Sequence, residues 1–243
     1  MGGLAAVVYG VIVYAFFLTT FLYAVAFVSN LPVLKTVDSG VPGPAAPALI
    51  VDTCLLGLFA VQHSVMARQG FKRWWTRFVP KAVERGTYVL LASFALALLY
   101  WQWRPIPSEV WRVTNGFGIL ALQAIFWGGW ATVLLSTFLI SHFELFGLRQ
   151  VYARMRGNEL PLPTFRTPLL YRHVRHPIYL GFLLAFWATP QMTYGHLLFA
   201  AATTGYIFIG IWLEERDLIA YFGETYERYR SNVRMLVPLP RRR

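Results

Sequence analysis

The sequence is short of cysteine, of charge and of acidic side chains. Cys54 is the single cysteine among 243 residues, which excludes a disulfide framework and a cysteine-rich metal centre. It lies inside an apolar run and reads as core packing. Asp, Glu, Lys and Arg together make up 14% of the chain, too little to cover a water-facing surface of this size. The pattern also lacks a cleavable signal peptide, because the N-terminal apolar run has no basic n-region and is too long for an h-region. Met1-Gly2 does not open a myristoylation signal, since Ala6 stands where Ser or Thr belongs.

What the chain has in abundance is apolar sequence, 57% of its residues, gathered in long unbroken runs. Runs of about 18 or more read as membrane-spanning helices, and helices satisfy their own backbone in lipid where an open sheet cannot. Six segments stand out: Leu4–Val28, Ala45–Met66, Tyr88–Trp103, Gly116–Ile140, Pro177–Thr189 and Leu197–Leu213. The third and sixth are marginal in length. The fifth is too short to cross alone and reads as one arm of a helical hairpin with the sixth, turning at Pro190–Gly195. If the segments alternate, Lys35, Arg104 and Arg112 are the only exceptions among the 22 Lys and Arg to a one-sided distribution. By the positive-inside rule that side is cytoplasmic and carries both termini. The net charge of +11 is thereby explained by topology and anionic lipid, with no nucleic acid partner. The expected fold is all-α: a polytopic integral membrane bundle of about five to six crossings, with a C-terminal hairpin and a cytoplasmic amphipathic tail.

The side chains capable of chemistry fall mostly at the same face: His63 after segment two, His142 and Glu144 after segment four, Arg172, His173 and His176 before segment five, and Glu214 and Glu215 after segment six. Asp52 and His196 fall toward the other face and read as helix-end polar groups. The run Gly116-Phe117-Gly118-Ile119-Leu120-Ala121 matches a dinucleotide fingerprint only on paper, since no strand precedes it and a membrane helix follows. A Rossmann domain is not expected.

The stretch Arg172-His173-Val174-Arg175-His176-Pro177-Ile178-Tyr179-Leu180-Gly181 is the most informative. Pro177 suits the first position of a helix and places His176 at the cap. The free N–H groups of such a first turn attract an anion, for instance an amino-acid carboxylate. Tyr179 adds an aromatic face and a hydroxyl, and Gly181 allows close approach of a ligand or a helix. Glu214 and Glu215, adjacent carboxylates beside a membrane, need cationic partners: Arg172, Arg175 or a positively charged ligand. S-adenosylmethionine, with a sulfonium and an ammonium beside one carboxylate, matches this pairing. Apolar or aromatic residues at 218, 222, 226 and 229 have helical spacing, and the tail they form reads both as an amphipathic surface helix and as a lid.

These residues carry a resemblance. The pattern Arg175-His176-Pro177-x-Tyr179-x-Gly181, then Glu214-Glu215-x-x-Leu218-x-x-x-Phe222-Gly223-x-x-Tyr226-x-x-Tyr229 and Pro238, is similar to the membrane methyltransferases related to isoprenylcysteine carboxyl methyltransferase. Upstream, Gln62-His63-Ser64-Val65-Met66-Ala67-Arg68 and Ser141-His142-Phe143-Glu144-Leu145-Phe146-Gly147-Leu148-Arg149-Gln150 resemble the bacterial NnrU-like branch. Within that branch the chain most resembles the enzymes that methylate methanethiol to dimethyl sulfide. The resemblance implies S-adenosylmethionine as methyl donor and a helical, non-Rossmann fold. It implies one methyltransferase domain over 1–243, with 1–140 as scaffold and 141–243 binding the cofactor through Arg175, His176, Pro177, Tyr179, Gly181, Glu214, Glu215 and Tyr226. It also implies a bacterial cytoplasmic (inner) membrane location. Where the carboxyl methyltransferases carry an arginine about one turn before the glutamates, this chain reads Gly210-Ile211-Trp212-Leu213, which suits a small neutral thiol better than a carboxylate.

A thiol attacks as its thiolate, so His142 and His63 are the candidate bases. Glu144 would orient one of them or take the ligand's ammonium. A metal held by these three is set aside, because methyl transfer does not require one. Two other functions are compatible with the pattern: methylation of another lipophilic acceptor, such as a prenylcysteine carboxylate or an isoprenoid, and a non-catalytic accessory role in nitrogen-oxide metabolism.

Overall fold

The computed structural model describes residues 2–158 and 164–238; the basic run Arg241 to Arg243 lies outside the described residues. The chain forms α1 (Gly3–Ser29), α2 (Ala45–Ala67), α3 (Gln69–Trp75), α4 (Lys81–Gln102), β1 (Glu109–Arg112), α5 (Gly116–Ile140), α6 (His142–Leu145), α7 (Leu148–Met155), α8 (Pro177–Trp187), β2 (Gln191–Thr193), α9 (Tyr194–Phe222) and α10 (Glu224–Asn232). Five of these, α1, α2, α4, α5 and α9, are long and apolar enough to cross a membrane. The chain is an integral membrane protein of helices, with one two-stranded sheet among the described residues.

Two segments expected to be marginal are full length. Helix α4 starts at Lys81 rather than Tyr88, and α9 runs 29 residues, from Tyr194 to Phe222. Charged residues end an apolar window without ending a helix. Glu84 in the first turn of α4 favours the helix dipole, and Glu214 and Glu215 lie inside α9. The tail differs in the opposite sense. The single helix expected through Tyr229 is broken at Gly223, whose φ of 53° lies where glycine alone is comfortable.

The residues divide into two compact units. In the first, α1 packs along α4 and α7, and α2 packs on α4. Small residues set these distances. A Cβ on Gly10 would lie 2.7 Å from Val151, and one on Gly147 would lie 2.8 Å from the backbone of Gly86, so the helices approach as only glycine allows. Val13, Met66, Tyr88 and Val89 form a core against Tyr9, Phe17, Phe71, Trp75 and Phe146.

The second unit contains α5, α8, α9 beyond Leu198, and α10. Helices α5 and α8 meet at Gly129 and Gly181, where an added Cβ on either would come within 2.7 Å of the other's carbonyl oxygen. Strands β1 and β2 pair, and Gln191 donates to Glu109 at 3.0 Å. Neither strand was expected. Their pairing ties the α8–α9 turn to the start of α5, so the hairpin reaches the full depth of a helix about 37 Å long at 1.5 Å per residue. Beyond α10 the chain crosses the start of α8: Val174 and Arg234 form a parallel bridge, and Leu236 is buried against Ile207 and Ile211.

Candidate functional site

In the second unit, Pro177 is the first residue of α8 and His176 precedes it. The ring cannot donate a backbone hydrogen bond, so its place at the helix start leaves nothing unsatisfied. This holds His176 beside α9, where Glu214 and Glu215 are adjacent. Neighbours on a helix point about 100° apart, and the two carboxylates meet different groups.

Glu215 is buried and saturated. Its Oε1 accepts from Arg175 Nε at 2.7 Å and lies 3.0 Å from His176 Nε2. Its Oε2 pairs with Arg230 Nε at 3.0 Å. Arg175 also donates to the carbonyl oxygens of Arg230 and Val233, at 3.1 and 2.6 Å. The backbone N–H groups of Arg175 and His176 donate to the carbonyls of Arg234 and Met235. Glu214 is 44% exposed at its side chain. The Tyr179 hydroxyl donates to its Oε2 at 3.0 Å, and His176 Nδ1 lies 3.7 Å from the same oxygen. Of the two arginines expected to partner the pair, Arg175 does so and Arg172 is exposed.

Tyr226, from α10, is 2% exposed, and its hydroxyl has no hydrogen-bond partner among the described residues. Burial first, and then the charge of Glu215, raises its pKa above the ordinary tyrosine value. Tyr229 is pushed up to about 12, chiefly by burial, and donates to the carbonyl of Tyr171 at 2.5 Å. Phe165 packs against Phe222, Tyr226 and Tyr229. Gly181 is buried against α5 through Gly129.

In the first unit, two imidazoles are each held by a phenol. The Tyr88 hydroxyl is 2.8 Å from His63 Nε2, and the Tyr14 hydroxyl is 2.8 Å from His142 Nε2. Burial lowers the pKa of His142 below its ordinary value. Glu144 pairs with Arg149 at 2.8 Å, and Gln150 donates to its carbonyl. Among the described residues, no three His, Cys, Asp or Glu are grouped to hold a metal. Asp52 is fully buried and accepts from the Arg104 backbone at 2.9 Å, tying α2 to the end of α4.

Arg230, Tyr171, Tyr14 and Tyr88 were not legible as site residues. Arg230 reaches Glu215 only because Gly223 turns the chain, and the two tyrosines that hold the imidazoles come from other helices.

Fold and site together define a class: a polytopic membrane protein with a buried carboxylate–imidazole–guanidinium cluster at the end of its last long helix. Methanethiol S-methyltransferase of Mycobacterium tuberculosis is 59% identical over 236 residues, covering 97% of each chain. Methanethiol S-methyltransferase 1 of Bradyrhizobium diazoefficiens is 56% identical over 233 residues, 96% of this chain and 82% of its own. Nurim of Rattus norvegicus is 31% identical over 182 residues, 70% of this chain and 68% of its own. This chain belongs to the methanethiol S-methyltransferase family. No protein-family model matches it, and no solved structure does.

Proposed function

We propose that this protein transfers the methyl group of S-adenosylmethionine to methanethiol, releasing dimethyl sulfide, at the cytoplasmic face of the bacterial inner membrane. The near full-length similarity to enzymes named for that acceptor supports the reading most directly. The basic residues of the 67–81, 149–176 and 214–234 stretches support the orientation, with both termini inside.

The residues of the second unit suit the methyl donor. Glu214 offers a partly exposed carboxylate to a cation, and the orphaned Tyr226 hydroxyl offers a buried polar contact to a ligand. Arg175, His176, Pro177, Tyr179, Gly181, Glu214, Glu215 and Tyr226 would hold it, some by contact and some by placing their neighbours. When bound, S-adenosylmethionine supplies an electrophilic methyl group on a sulfonium. The thiol must lose its proton as its sulfur bonds to the methyl carbon, while the bond from that carbon to the sulfonium breaks and S-adenosylhomocysteine leaves as a neutral thioether. His142 and His63 are the candidates for that acceptance, because an imidazole kept neutral has a ring nitrogen that can take a proton and each ring is fixed by a tyrosine. Glu144, set by Arg149, adds negative charge on the chain beside His142. The main work is orientation and exclusion of water.

Membranes containing the protein, given methanethiol and S-adenosylmethionine, should release dimethyl sulfide into the headspace. Methylation of a prenylcysteine analogue with none of methanethiol would overturn the acceptor.

A further inference from the structure

Glu214 and Glu215 read as one acidic motif in the sequence, yet their surroundings differ. Three cationic or imidazole groups occupy both oxygens of Glu215. Its side chain is 9% exposed. It cannot take a ligand without releasing Arg175, Arg230 or His176. What it does is fasten the chain beyond α10 to the start of α8, because Arg175 also holds the carbonyls of Arg230 and Val233. Glu214 has both of its contacts on Oε2, and Oε1 has no hydrogen-bond partner among the described residues.

We propose that the pair divides its labour: Glu215 is a positioning residue that latches residues 230–235 over the start of α8, and Glu214 binds the primary ammonium of the methyl donor. This rests on the function proposed above. Two physical arguments select the ammonium over the sulfonium. A sulfonium has no N–H or O–H to donate, whereas an ammonium gives charge-assisted hydrogen bonds to a carboxylate. A carboxylate placed against the sulfonium would also stabilise the ground state more than the transition state, since the positive charge disperses as the methyl moves, and that would slow the reaction. An anion held at the ammonium, away from the reacting carbon, binds both states equally. The hydroxyl of Tyr179 orients Glu214 for that contact.

The test is calorimetry on the full-length protein in nanodiscs with three probes. These are S-adenosylmethionine, S-adenosylhomocysteine (ammonium without sulfonium) and 5′-methylthioadenosine (neither). Glu214→Gln should weaken the first two by the same factor, about tenfold or more, and leave the third unchanged. Glu215→Gln should instead raise hydrogen exchange of peptides covering 174–177 and 230–236, by about tenfold. Arg230→Gln, which removes one of the three partners and spares the carboxylate, should do the same to a smaller degree if Glu215→Gln fails to fold. Weakening of S-adenosylmethionine alone by Glu214→Gln would assign the carboxylate to the sulfonium and overturn the proposal. Equal loss of all three probes, or unaltered exchange in the Glu215 and Arg230 variants, would overturn it as well. A wild-type protein that binds none of the probes would refute the methyltransferase reading instead.

Discussion

A carboxylate removed from water costs several kcal/mol unless its partners remain in place, and Glu215 has three. Arg175→Met should therefore destabilise the protein by about 3 kcal/mol or more, since it leaves a buried charge under-compensated. Arg149→Ala removes the partner of a more exposed glutamate and should cost less than about 1 kcal/mol. Unfolding midpoints of the two variants in the same detergent check the contrast. His142 allows a prediction in pH. Burial depresses its pKa from 6.5, so the folded protein resists a proton that the unfolded chain accepts. Its contribution to stability is intact above 6.5 and is lost as the pH falls from there through the depressed value. The melting temperature should drop between about pH 7 and pH 5, and His142→Gln should flatten that drop. The sequence made the acidic pair and its imidazole legible because Pro177 and the two glutamates are local signals at helix ends. It gave no sign that Arg230 joins them, since that depends on a backbone turn at Gly223, eight residues beyond Glu215.

At the level of elements, hydropathy located every apolar helix but misplaced ends. Lys81, Glu84 and Arg85 extend α4 beyond its apolar window, and a charge at a helix end is inexpensive at an interface. The β1–β2 pair was not legible, because its strands are three and four residues long and carry too little pattern to separate from loop. The contact between α5 and α8 yields a matched prediction. Gly129→Val places a Cβ against the backbone of α8 and should destabilise by about 1–3 kcal/mol through overpacking. Gly128→Ala has open space around it and should be neutral or slightly stabilising, by less than about 1 kcal/mol, through helix propensity. Retention of the folded protein on heating in detergent separates the two.

For the whole molecule, the orientation proposed above rests on charge asymmetry. Residue 41 follows α1 on the side poor in Lys and Arg, and Val41 is 92% exposed. Thr225 lies in α10 near the basic tail. With Cys54 replaced, Val41→Cys should react with an impermeant maleimide on intact cells, and Thr225→Cys only after permeabilisation. The reverse pattern would invert the topology and place the Glu214 site outside, away from cytosolic methyl donor. The activity is tested most directly by isotope. Proteoliposomes of the purified protein are given methanethiol and S-adenosylmethionine carrying a trideuterated methyl group, and the headspace is analysed by mass. Dimethyl sulfide bearing one intact trideuteromethyl group, lost in Glu214→Gln at limiting donor, is the expected result. Unlabelled dimethyl sulfide, or label found in another acceptor and none in dimethyl sulfide, would contradict it.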